Sequence, residues 1–120
     1  MIWQRGLISV AIVSSVALAS GATAQSDGTT DDVRCVVVGL SLNQSPIETL
    51  RGASVLMTIY YMGRLEGRDP NLDLKGRIAD EGRKMSAGDM QSETRRCAAE
   101  LRAKGEAIAE MGKNPTQSPF

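Results

Sequence analysis

Outside the first 24 residues the longest apolar run is Ile47 to Gly67, I-E-T-L-R-G-A-S-V-L-M-T-I-Y-Y-M-G-R-L-E-G. Ile47, Leu50, Ser54, Val55, Thr58, Ile59, Met62 and Leu65 recur at helical spacing, while Leu56, Met57, Tyr60 and Tyr61 make the opposite side apolar as well. A helix apolar on nearly every side must be contacted from several directions. The pattern therefore predicts a central helix with the rest of the chain packed around it and its core between Val55 and Met62. Ser45-Pro46-Ile47-Glu48 reads as its start, with Ser45 as N-cap, Pro46 in the first helical position and Glu48 completing a capping box. Gly52, Gly63 and Gly67 each cost about 1 kcal/mol relative to Ala inside a helix, and Gly67 can serve as its end.

Three further elements follow from the same kind of reading. Val33 to Leu42, V-R-C-V-V-V-G-L-S-L, is two-sided: three consecutive valines favour a strand, whereas Asp31 or Asp32 as a cap and apolar Val33, Val36, Val37 and Leu40 favour a helix. A short helix is the better reading, because no other segment reads as a strand and a lone one would have no partner. Asp69-Pro70 opens a third helix running to about Met85, with a thin stripe of Leu74, Ile78, Glu81 or Gly82, and Met85. Asp89 opens a fourth, running to about Gly112, in which Met90, Thr94, Cys97, Leu101, Lys104, Ile108 and Met111 alternate steps of four and three. The prediction is an all-α fold, a small bundle of about four helices. Residues 33–113 would form the domain, 25–32 a disordered N-terminal segment and 114–120 a disordered tail.

Residues 1–24 change the picture from a cytoplasmic chain to an exported one. Arg5, the uncharged apolar stretch Gly6 to Leu18 and the small residues Ala22-Thr23-Ala24 have the three-part design of a secretory signal peptide cleaved after Ala24. The apolar stretch is short for a membrane span, and Ile47 to Gly67 is interrupted by Glu48, Arg51, Arg64 and Glu66, so no span is expected after cleavage. The periplasm is the expected location, with secretion as the alternative. In that oxidising compartment the two cysteines, Cys35 and Cys97, should close a disulfide between the first and last helices. The chain-entropy model values such a loop at roughly 4 kcal/mol, a large contribution for a domain this small.

Charge and side-chain chemistry mostly exclude functions. The 14 Lys and Arg, less Arg5, face 14 Asp and Glu, so the mature chain is near neutral and lacks the basic footprint of a nucleic-acid binder. The absence of His removes the usual general base and the commonest metal ligand. Asp69, Asn71, Asp73 and Asp80 fall at the first, third, fifth and twelfth positions of an EF-hand-like loop. Leu74 stands where the turn needs Gly, however, and the twelfth residue is Asp where a bidentate Glu is usual. No metal or other cofactor is expected. Ser or Thr nucleophiles would have only Lys75, Lys84, Lys104, Lys113 or a shifted carboxylate as base, and none sits in a catalytic motif. The chain reads as a non-enzyme. Its candidate surface for a protein partner is Tyr60, Tyr61, Arg64 and Arg68, where the apolar helix meets a charged rim and two arginines four apart can fork a carboxylate.

With R-C-V-V-V near the start, Y-Y-M-G-R-L-E-G-R-D-P in the middle and R-R-C-A-A-E-L towards the end, the chain resembles small exported proteins of unknown function from alphaproteobacteria. These share the layout of an early Cys, a central helix and a late Cys, and the resemblance implies no activity. In plan alone, a small periplasmic helical domain with one long-range disulfide is similar to acid-stress periplasmic chaperones. The expected function is a binding or chaperone-like module, with a structural or partner-specific inhibitor protein of the cell envelope as the alternative.

Overall fold

A computed structural model describes residues 28–113, which form four helices: α1 (Thr29–Leu42), α2 (Glu48–Arg68), α3 (Leu74–Lys84) and α4 (Ala87–Lys113). The described residues contain no strand. The signal peptide expected over 1–24 and the tail over 114–120 lie outside the described residues.

The Val33 to Leu42 segment is helical in spite of its valines, and the magnitudes show why. Val33, Val36 and Val38 have no exposed surface and Val37 has 7%. Full burial contributes roughly 1.5 kcal/mol or more per valine, against a helix-propensity cost of at most about 0.7 kcal/mol each. Buried positions run consecutively from Cys35 to Gly39, so the middle of α1 is covered on several sides, and it is α1 that occupies the middle of the fold. The expectation that Ile47 to Gly67 is the central helix is corrected: α2, α3 and α4 all pack on α1, and α2 lies to one side. α1 also starts earlier than its apolar pattern. Gly28, in the left-handed region at φ 79°, leads into it, and Asp31 and Asp32 fall in its first turn, where the helix dipole favours carboxylates. Residues 29–32 thus belong to the domain and not to a disordered segment.

α2 runs antiparallel to α1. Arg68 reaches Asp32 near the start of α1, and Ser54 reaches Asn43 just beyond its end. Between them the two backbones pass close at Gly39, where a Cβ would lie 3.3 Å from the Ser54 carbonyl and against the Thr58 hydroxyl, so only glycine fits without displacement. α3 lies on another side of α1, with Arg77 bonding Thr30 and Arg34 bonding Glu81. α4 crosses the first half of α1 and touches α2. The Cys35–Cys97 disulfide fastens the crossing, with Cα atoms 5.7 Å apart and both residues fully buried, as the sequence predicts.

Helix starts differ from the sequence reading in an instructive way. α2 begins at Glu48 with Ile47 as cap, and the Ser45 hydroxyl accepts from the Ile47 N–H, forming a turn before the helix in place of the capping box. Asp69 closes α2 and its carboxylate accepts from the Asn71 N–H, which keeps Pro70 and Asn71 in a turn. Asp73 then caps α3 by accepting from Gly76. The one capping box is at α4, where Ser86 Oγ accepts from the Asp89 N–H and the Asp89 carboxylate accepts from the Ser86 N–H. Competing Asp and Ser residues each had a plausible partner three positions on, and long-range packing chose between them.

Candidate functional site

α2 has two faces of opposite character. Its inner face is Ser54, Met57, Tyr61 and Leu65, all buried, at helical steps of three, four and four. Tyr61 has no exposed surface, and its hydroxyl lies 3.2 Å from the Cys97 carbonyl and 3.1 Å from Glu100 Oε2. Glu100 is also bonded by Arg64, whose Nε lies 3.3 Å from Asp32 Oδ2, and Arg68 Nη2 reaches the same oxygen at 3.1 Å. The Arg64 guanidinium stands 5.6 Å from the ring centres of both Tyr60 and Tyr61, which meet edge to face. This latch joins α1, α2 and α4 through groups that are all paired.

The sequence-predicted partner surface is thereby redistributed. Tyr61 is sealed in the core and unavailable to any partner of the folded chain; Arg64 and Arg68 are committed to Asp32, and Tyr60 is half-buried with its hydroxyl accepting from Arg64. A second cluster clasps α3 and α4 onto α1. Arg34 bonds Glu81 at 3.1 Å and Glu93 at 3.5 Å, Lys84 bonds Glu81, and Arg96 bonds Glu93 and the Asp31 carbonyl. A Glu93 oxygen sits near the two cysteine sulfurs, but those are bonded to each other and Glu93 is held by two arginines. Asp69 and Asp73 serve the turn and the cap already described, and Asp80 pairs with Arg83. Among the described residues no buried side-chain nitrogen or oxygen lacks a hydrogen-bond partner.

These pairs set an acid limit. Burial disfavours the Glu100 carboxylate, but the hydrogen bonds from Arg64 and Tyr61 and the Arg64 charge outweigh it, so its pKa falls below the usual value. Glu81 behaves alike, burial being overcome by Arg34 and Lys84, and Asp89 is lowered by its bonds to Ser86. A carboxyl whose folded pKa is depressed stabilises the fold above its unfolded pKa, about 4, and that contribution disappears as pH falls through the folded value. Thermal melts should therefore give a midpoint nearly constant between about pH 7 and pH 5 and falling below about pH 4. A Glu100→Gln variant should flatten part of that fall; a midpoint independent of pH down to about 3 would contradict the assignment. At the other extreme, burial and then the Glu100 charge hold the Tyr61 phenol above its usual value near 10, so stability is lost as pH rises past about 10.

The outer face of α2 is an exposed apolar surface that the sequence reading missed. Leu56 and Ile59 are 65% and 64% exposed, Val55 is half exposed, and α1 contributes Leu40 beside them. Leu40, Asn43, Ser54, Val55, Thr58 and Ile59 line a shallow groove along this edge, and none of them carries a charge or a thiol. The signal was present as the spacing Gly52, Leu56, Ile59, Gly63, a second stripe facing away from Tyr61. It was absorbed into the notion of a helix buried all round. The last half of α4 is a lesser relative, with exposed Ile108 and Met111 beyond the crossing.

The described residues form a small all-α bundle, tied by one disulfide and presenting an apolar face on α2. Compared with protein-family models, with curated proteins and with solved structures, the chain matches none of them. No helix among the described residues is long and apolar enough to cross a membrane.

Proposed function

We propose that the protein is an exported, non-catalytic binding module whose contact surface is the outer face of α2. The observation that carries this reading is the exposure of Leu56 and Ile59, at the centre of a helix held rigidly from its other side. Contiguous apolar surface on a small domain is costly in water and marks sites of association. The groove beside it has no acid, base or nucleophile apart from the Ser54 and Thr58 hydroxyls, and Ser54 donates to the Arg51 carbonyl. The composition of residues 1–24 and the closed disulfide are both compatible with export to the periplasm.

A chaperone-like role is the natural extension, since this face is open in the folded chain and requires no loosening to meet an apolar client. Support for a partner-specific inhibitor or structural role would come from a single stoichiometric ligand. At neutral pH the protein should enhance the fluorescence of a hydrophobic dye and delay aggregation of a denatured client, and Ile59→Glu should abolish both while keeping the helical circular dichroism. Wild type and variant behaving alike would end this reading.

A further inference from the structure

The exposed stripe of α2 is acidic at both ends. Glu48, Gly52, Val55, Ile59, Met62 and Glu66 follow one another at helical steps of four, three, four, three and four, so they share one side of the helix. All are exposed except half-buried Met62, and exposed Leu56 lies beside them. Glu48 and Glu66 are 18 residues apart, which is five complete turns and about 27 Å of helix. Their side chains therefore leave α2 in the same direction.

Among the described residues neither carboxylate has a partner. Cations stand within a turn of each, yet all are turned elsewhere. Arg51, three residues after Glu48, donates to the Ser45 carbonyl at 2.9 Å. Arg64 and Arg68, two residues on either side of Glu66, both reach inwards to Asp32. The acids that hold the bundle together behave differently: Asp32, Glu81, Glu93 and Glu100 each engage at least one arginine. Two uncompensated negative charges thus bracket the apolar stripe.

This pattern discriminates between occupants. A second copy of α2 laid antiparallel and centred on Met57 would bring Glu48 against Glu66 at both ends, opposing like charges. An anionic lipid surface would be repelled at the same two points, and helices that lie on membranes carry Lys and Arg beside their apolar face, where α2 carries Glu. An extended peptide would set its own N–H and C=O groups against a face whose backbone groups are already used within α2. A helix arrives with its backbone bonds made.

We infer that the outer face of α2 docks an amphipathic helix of a partner protein, apolar along one stripe and bearing Lys or Arg at each end of it. The inference rests on the binding-surface reading above and adds the chemistry of the partner. The apolar stripe supplies affinity, while Glu48 and Glu66 select among apolar helices and fix the register. The groove lined by Leu40, Val55, Thr58 and Ile59 takes an apolar side chain from the middle of the partner helix.

Two synthetic helical peptides with the same stripe of Leu and Ile test it, one with Lys at both ends, five turns apart, and one with Glu in the same places. Calorimetric titration of the purified protein should show the Lys-ended peptide binding about tenfold or more tightly, a preference that fades towards about 1 M salt. Glu48→Lys with Glu66→Lys should reverse the order while leaving the helical circular dichroism unchanged, since both side chains are exposed and unpaired. Ile59→Glu should abolish binding of both peptides. Equal affinity for the two peptides, an order that survives the charge reversal, or a homodimer in sedimentation that Ile59→Glu removes overturns the inference. If neither peptide binds but dye binding still depends on Ile59, the binding surface stands and this partner falls; if the dye is indifferent as well, both fall.

Discussion

Replacing Cys35 and Cys97 together by alanine should lower the free energy of unfolding by about 4 kcal/mol, the value of closing a loop across their separation of 62 residues. Domains of this size have roughly 5–15 kcal/mol in all, so the variant would be close to half unfolded under mild denaturing conditions. The effect is large because α4 has little else to hold it. Its apolar stripe touches the core through Met90, Cys97, Ala98 and Leu101, and its residues from Arg102 to Lys113 are exposed. Urea unfolding of the wild type and the double variant checks the number, and a difference below about 1 kcal/mol would mean that the Glu93 and Glu100 ion pairs alone secure the crossing. Both cysteines are fully buried, so a reductant acts only when the fold opens. Reduction in native buffer should be slow and should accelerate in parallel with urea.

The same pair of residues illustrates what was legible in the sequence. Two cysteines, one in the first helix and one on the apolar stripe of the last, allow one bond, and the bond is there. Helix number was legible too, since Pro, Gly, Asp and Ser interrupt the chain at each connection. The identity of the central helix was not. Length of apolar run pointed to α2, whereas the structure rewards an unbroken buried stretch: Val33, Cys35, Val36, Val37 and Val38 face neighbours on several sides of α1. The all-round apolar character of α2 has a different origin, one stripe serving the fold and the other facing outwards. Periodicity cannot separate two such stripes, because it records hydrophobicity and not which side a neighbour approaches from. Asp32 and Glu81 were equally hidden. Read locally, they are a cap and a thin-stripe residue; in the fold they are buried acids whose cations arrive from other helices.

Truncating Tyr61 to alanine should cost about 3–5 kcal/mol, comparable to the disulfide, because a fully buried aromatic ring between three helices leaves a cavity that rigid neighbours cannot fill. Tyr61→Phe keeps the ring and removes only the hydroxyl; Glu100 retains Arg64, so the cost should be about 1 kcal/mol. Urea titrations of both variants measure the ratio. Equal losses would shift the weight from ring packing to the hydrogen bonds, and a loss under about 1 kcal/mol in Tyr61→Ala would place the ring outside the core. Tyr61 and Ile59 point to opposite sides of the same helix. Tyr61→Phe should therefore weaken the bundle while leaving association through the outer face unchanged, and Ile59→Glu should do the reverse, so that scaffold and surface are separated by two residues on one turn of α2.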